Sequence, residues 1–408
     1  MFKKHLNQPL VFFIRFSATF LQFSIIYIFK SEIDILAFYF LFIIFFEIGS
    51  NVLSLGFPRL SFIKMSKLNN KGSLNLIHNL LAVYFKTLLK KFYLVILFLG
   101  SAFLMLNIDL LGLIALLFIC FIFAINLIIT EAIKASAYKN IGVFLNRVYH
   151  LLIFFIISIL IDIYNINATK NILIYSLLFA TIISTISSYY FININFSKQK
   201  YNNFTSSSSF SLSQFLIQLK DIFFQRLPII LLNFLFIDKV ILAAFSFFHS
   251  IISVRGTFND ILTPIYVPRF LKQFKNQNNQ NSLQKYLREL LSKSFIINLF
   301  YTCCLLLLGE NILLIFNDEF SEYYDIFIGY VLITQFVHFS AICRSINSSV
   351  IIKNYKHNLY ILKAIALMSV ISFLTVNYFG MYGMILSIVV SHLYLNLSSY
   401  FSITNKIS

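Results

Sequence analysis

Four arginines stand inside long apolar runs of this 408-residue chain: Arg15, Arg226, Arg255 and Arg344. A guanidinium at the depth of a bilayer's hydrocarbon core costs roughly 2.5–3.5 kcal/mol. Each must therefore face a hydrated cavity, pair with an acid, or snorkel its head to the interface. Arg15 and Arg226 lie near the starts of their runs and could snorkel; Arg255 and Arg344 lie deeper. A planar, permanently charged group with several donors matches two phosphate oxygens at once, so clustered arginines would form a cationic vestibule suited to phosphate. Two acids share the apolar runs. Glu47 could face Arg15, and Asp260 lies one to two helical turns from Arg255. Each reads as the neutralising partner of an arginine or as a protonatable site for ion coupling. His249 and His338 read as hydrogen-bonded structural residues or proton relays. Gln22, Asn51, Gln225, Asn233, Asn259 and Gln335 would line a wet cleft or glue helices together.

The elements that must hold these residues are membrane spans. The composition is 59% hydrophobic and 12% charged, too little charge to cover a soluble surface. The formal charge of +17 follows from the loading of cytoplasmic loops with Lys and Arg, which makes nucleic acid an unneeded partner. Apolar runs of adequate length predict about twelve spans. They fall near 10–29, 35–57, 88–106, 110–130, 146–164, 171–194, 221–237, 239–266, 294–315, 325–351, 358–377 and 381–403. The run 10–29 follows MFKKH but is too long for a leader's apolar segment and lacks a small-x-small cleavage site, so it reads as a retained first span. The fold class is thus an all-α polytopic membrane protein.

Loop charge orients it. Arg59, Lys64, Lys67, Lys71, Lys86, Lys90 and Lys91 follow span two, and Arg269, Lys272, Lys275, Lys285, Arg288 and Lys293 follow span eight. The intervening loops carry Glu32 and Asp34, Asp109, Asp162, Asp238, and then Glu310, Asp318, Glu319, Glu322 and Asp325. Alternation at every span puts both termini in the cytoplasm and all four arginines in the inner half of the membrane. Segments 58–87 and 267–293 read as basic amphipathic lead-ins to spans three and nine.

A weak repeat divides the chain. Arg15 and Arg226, Pro58-Arg59 and Pro268-Arg269, Ser73-Leu74 and Ser282-Leu283, and Gly100 and Gly309 recur at offsets of 209 to 211 residues. Six spans per half give both halves one orientation and a pseudo-twofold along the membrane normal. The expected organisation is a lobe over 1–201, a serine-rich cytoplasmic linker over 202–213, and a second lobe over 214–408. Arg15 and Arg226 would then approach one axial site. There is no Walker A, HExxH, GxSxG or dinucleotide motif, and Cys120, Cys303, Cys304 and Cys343 have no metal-ligand spacing. No catalytic residue, metal or cofactor is expected.

The basic start and first span, the GFPRLSFIKMSK end of span two, the basic lead-in to span three, the repeated Pro268-Arg269 and the GENILLIFNDEFSEYYDIFIGYVLI turn resemble Wzx-type O-antigen repeat-unit flippases. These belong to the multidrug/oligosaccharidyl-lipid/polysaccharide exporter superfamily. The resemblance implies a non-enzymatic, ion-coupled carrier in the bacterial inner membrane. It would move an undecaprenyl-pyrophosphate-linked oligosaccharide from the inner to the outer leaflet by alternating access. Membrane lipids, a polysaccharide polymerase and a chain-length regulator are its implied partners. Arg15, Arg226, Arg255 and Arg344 are the implied substrate-binding set. The alternatives are a multidrug or cation exporter of the same superfamily, whose cavity would favour acids over arginines, or a membrane polymerase, which would need larger and more basic outer loops.

Overall fold

A computed structural model describes residues 7–66, 68, 72–198, 212–235, 238–275, 280–338, 341–344, 346 and 355–407. Side chains are described for these except 7–9, 11–12, 212–214, 216–218, 220–221, 257–269, 271–275, 280–282, 338, 355–357 and 406–407. The linker expected at 202–213 falls almost wholly outside the described residues, as do the side chains of Asp260, Asn259 and His338.

Described residues form sixteen α-helices and no sheet. In chain order they are α1 Asn7–Ile28, α2 Ile33–Ser54, α3 Phe57–Ser66, α4 Leu74–Lys90, α5 Tyr93–Leu106, α6 Leu110–Ala135, α7 Lys139–Arg147, α8 Tyr149–Ile163 and α9 Lys170–Asn195. There follow α10 Leu212–Leu235, α11 Lys239–Lys275, α12 Gln280–Phe316, α13 Asp318–Ser321, α14 Tyr324–His338, α15 Tyr355–Phe379 and α16 Met381–Ile407. Among the described residues, nine helical stretches are long and apolar enough to cross a membrane, or ten if α4 and α5, bent by 70°, make one span. The shorter apolar stretches Phe13–Ile28 and Ile222–Leu235 lie where hydropathy predicts two further spans. The protein is a multi-pass helical membrane protein.

Two local departures from the sequence expectation have physical causes. Span two ends where Leu55 and Gly56 take left-handed backbone (φ 53 and 75), and Pro58 lies in the first turn of α3. Gly tolerates that conformation, and Pro fits the first turn because its missing N–H has no helical partner there. In the repeat's second half, α11 runs unbroken through Pro264 and Pro268. With 37 residues it is about 55 Å long, more than a bilayer core needs, and so is α12. The basic segment 267–293 therefore continues these two helices on either side of 276–279, where a separate lead-in was expected. The lead-in to span three does form a distinct helix: α4 buries Leu76, Ile77, Leu80 and Tyr84 and exposes Phe85, Lys86, Leu89 and Lys90.

Several loop acids assigned to the outer face double as helix caps. Asp109 accepts from the Gly112 N–H at 2.8 Å, and Asp238 accepts from the Val240 and Ile241 N–H groups at 2.8 and 3.2 Å. A carboxylate there satisfies orphan donors and complements the positive end of the helix dipole. Burial, together with the charges of Asp238, Glu322 and Glu319, pushes the Tyr323 phenol above its ordinary pKa at the acidic turn before α14.

The chain divides into two compact units, Met1–Phe223 and Phe224–Ser408. The first buries an aromatic core: Phe46 lies 4.7 Å from Phe123, Phe38 5.6 Å from Phe42, and Tyr39 stacks on Phe154. Gly49 lets α2 approach α5 and α6, because a Cβ there would meet Phe98 Cζ at 2.3 Å and Cys120 Sγ at 2.7 Å. Several buried polar side chains of this unit bond to neutral neighbours, as in Asn146 Nδ2 to Thr130 Oγ1 at 2.9 Å. The second unit packs α15 against α16 across the Gly380 turn (φ 54), with Ser372 Oγ donating to Ser387 Oγ at 2.9 Å.

Candidate functional site: a buried arginine in the second unit

Arg255 is the bulkiest of the fully buried side chains, at 0% exposure. It sits midway along α11, where the neighbouring helices α12 and α14 supply acceptors. Its two terminal nitrogens make three hydrogen bonds: Nη1 to Thr334 Oγ1 at 2.7 Å, Nη2 to Thr302 Oγ1 at 2.7 Å, and Nη2 to the Val331 carbonyl at 3.0 Å. The Tyr301 ring lies under the guanidinium, 5.9 Å from Cζ to centroid. Nε has no partner among the described residues.

The threonines can accept because their protons are committed elsewhere. Thr302 Oγ1 donates to the Asn298 carbonyl at 2.9 Å and Thr334 Oγ1 to the Tyr330 carbonyl at 2.6 Å, each one turn back on its own helix. Each hydroxyl thus turns lone pairs toward Arg255. Gln335 extends the network when its amide nitrogen faces Thr302 Oγ1 at 2.9 Å and the Asn298 carbonyl at 3.0 Å. Tyr301 is held in place by its hydroxyl, which donates to the Ile251 carbonyl at 2.9 Å.

No carboxylate lies within salt-bridge distance of Arg255 among the described residues. Its desolvation costs several kcal/mol. Hydrogen bonds to a charged group contribute about 1.5–3 kcal/mol each, so three of them are of a size to offset that cost. The result is a buried cation held by neutral oxygens and an aromatic face, with no cancelling charge beside it among the described residues.

A second polar link lies one to two turns away. His249 on α11 stands 2.7 Å from Tyr330 Oη and 3.1 Å from the Gln225 carbonyl oxygen of α10. Tyr330, 1% exposed, joins the two sites, since its carbonyl receives the Thr334 proton.

The remaining sequence candidates are distributed. Arg15 and Glu47, on α1 and α2, belong to the first unit, and both are half-buried. Arg226, on α10, and Arg344, in the short helical stretch 341–344, belong to the second unit and are half-buried as well. Asp260 falls on α11. Arg255 is the member whose surroundings are fully built. Its partners Thr302 and Thr334 were not singled out from sequence. A signal existed in the polar stripes Ser294-Asn298-Thr302 and Tyr330-Thr334, spaced by four residues within otherwise apolar helices.

No protein-family model matches the chain, and no curated protein matches its sequence. Solved structures do. A MATE transporter in complex with MaD5 has a TM-score of 0.64 at 12% identity, covering 98% of this chain and 94% of that one. The lipid II flippase MurJ, in an inward closed conformation, gives 0.55 at 16% identity over 98% and 87%. A MOP superfamily transporter from Pyrococcus furiosus Vc1, described by a reversed polarity of its binding pocket, gives 0.56 at 12% identity over 98% and 94%. These neighbours are transporters and flippases, and the present chain has the MATE/MOP transporter fold.

Proposed function

We propose that the protein is a flippase for an anionic lipid-linked glycan. It would carry an undecaprenyl-pyrophosphate-linked oligosaccharide from the inner to the outer leaflet of a bacterial inner membrane, with both termini cytoplasmic and access alternating between two six-span lobes. The observation that carries this reading is Arg255, a fully buried guanidinium bonded, among the described residues, to neutral oxygens. A unit charge at about 8 Å in an effective dielectric near 20 is worth roughly 2 kcal/mol, attractive to a pyrophosphate and repulsive to a cationic drug. With both terminal nitrogens bonded to protein oxygens, Arg255 would act chiefly through its field, and Arg15, Arg226 and Arg344 would be the members that touch cargo. A polysaccharide polymerase and a chain-length regulator are the partners this role calls for.

Export of multidrug cations is the competing reading, favoured by the MATE neighbour's TM-score of 0.64. A deletion strain complemented with Arg255→Lys or Arg255→Ala separates the two. The flippase reading expects Arg255→Ala to lose surface polysaccharide by more than about tenfold at unchanged membrane level, with Arg255→Lys intermediate because it keeps charge but not the forked geometry. Unchanged polysaccharide together with a drug-sensitive deletion strain would point to the exporter.

A further inference from the structure

One imidazole ties three helices of the second unit together. His249 Nε2 faces the Gln225 carbonyl on α10, and Nδ1 faces the Tyr330 hydroxyl on α14. A carbonyl oxygen only accepts, so Nε2 carries the hydrogen, and Nδ1 of the neutral ring then accepts from Tyr330. Gln225 lies three residues before Pro228, whose missing N–H leaves the neighbouring Phe224 carbonyl without its helical donor. The imidazole also forms a triangle of near-parallel rings with Phe245 at 6.1 Å and Tyr330 at 6.3 Å between centroids, those two lying 5.9 Å apart. The two ring nitrogens and the Tyr330 hydroxyl hydrogen are all satisfied together only in the neutral form.

Protonation reverses one of these contacts. A proton arriving from water on Nδ1 turns that atom from acceptor to donor, so the bond donated by Tyr330 must break and its hydroxyl hydrogen must turn away. The new charge also adds to Arg226, whose charge already acts on the ring from α10. Tyr330 is the titratable group that faces the ring from α14, and Arg226 is the charged group that acts on it from α10. Repulsion from Arg226 and a buried Tyr330 hydroxyl hydrogen left without its acceptor act in the same direction: the charged ring disfavours this packing of α10, α11 and α14.

We propose that His249 is the proton-binding site of this carrier, and that its protonation unlatches α10 and α14 from α11. The inference rests on the transporter reading and is independent of the cargo. The test uses the full chain in lipid nanodiscs without cargo, following amide hydrogen exchange in Ile222–Leu235 and Tyr324–Val337 from about pH 8 to about pH 5, corrected for intrinsic exchange. Native protein should lose protection in both helices by about tenfold on acidification. His249→Gln should abolish that response, and Arg226→Gln, which removes a positive neighbour, should move its midpoint to higher pH. A flat native profile, or an acid response that survives in His249→Gln, overturns the proposal. Should His249→Gln fail to accumulate, a midpoint unmoved by Arg226→Gln overturns it instead. Neither outcome bears on which cargo the protein carries, which is read from polysaccharide export.

Discussion

At the offset of 210 residues that separates Pro58 from Pro268, Arg255 of the second unit corresponds to Phe45 of the first, and His249 to Tyr39. The surroundings differ as much as the residues. Phe45 is 4% exposed, with Phe98 at 6.3 Å and the thiol of Cys120 near its carbonyl. Arg255 meets two threonine hydroxyls, a carbonyl and a tyrosine face. Tyr39 stacks on Phe154 and Tyr330 bonds His249. At these two positions the first unit packs apolar and aromatic side chains, whereas the second holds a charge and a titratable ring that an apolar filling of the same shape could replace without loss of stability. Retaining them makes sense as function, and it places the site's electrostatics in one half of a repeated architecture.

Moving the charge across the repeat should break the protein. Phe45→Arg would put a guanidinium among Phe98, Cys120 and the packed rings of α2, with no hydroxyl turned toward it. An unpaired buried charge costs several kcal/mol, comparable to the stability of a domain, so the variant should fail to accumulate in membranes. Normal accumulation, measured by quantitative immunoblot, would show that the first unit can hydrate this position.

A smaller effect sharpens the same contrast. Thr302→Val or Thr334→Val removes an acceptor of a charged donor and should lower stability by about 1.5–3 kcal/mol. Thr130→Val in the first unit removes an acceptor of the neutral Asn146 amide and should cost nearer 1 kcal/mol. Thermal unfolding in detergent ranks the three. Equal losses would mean that the oxygens around Arg255 are not supporting a charge.

The spans were legible because bilayer thickness fixes the length of an apolar run, and the break at Leu55-Gly56 was legible because Gly and Pro mark it. The 70° bend between α4 and α5 was not, since Lys91 and Phe92 at the junction have no special backbone preference. Arg255 announced itself by its cost. Its ligands did not, because a threonine in a membrane helix ordinarily bonds its own backbone, and Thr302 and Thr334 still do so while serving the guanidinium. The carboxylate the sequence suggested for Arg255, Asp260, has its side chain outside the described residues; the hydrogen bonds described are to neutral oxygens. His249 was expected to be hydrogen-bonded, and it is, but its partners, the Gln225 carbonyl and the Tyr330 hydroxyl, become visible only once α10, α11 and α14 are folded.

The central claim is that this buried cation, held by neutral oxygens among the described residues, serves an anionic cargo. The most direct measurement is equilibrium binding by the purified protein in nanodiscs, comparing undecaprenyl pyrophosphate with a lipophilic organic cation, for native protein and for Arg255→Met. Methionine fills similar space without charge, so folding should be retained or improved. The account predicts saturable binding of the pyrophosphate lipid, weakened by about tenfold or more in Arg255→Met, and little binding of the cation. Saturable binding of the organic cation that is indifferent to Arg255→Met, with none of the pyrophosphate lipid, would contradict it.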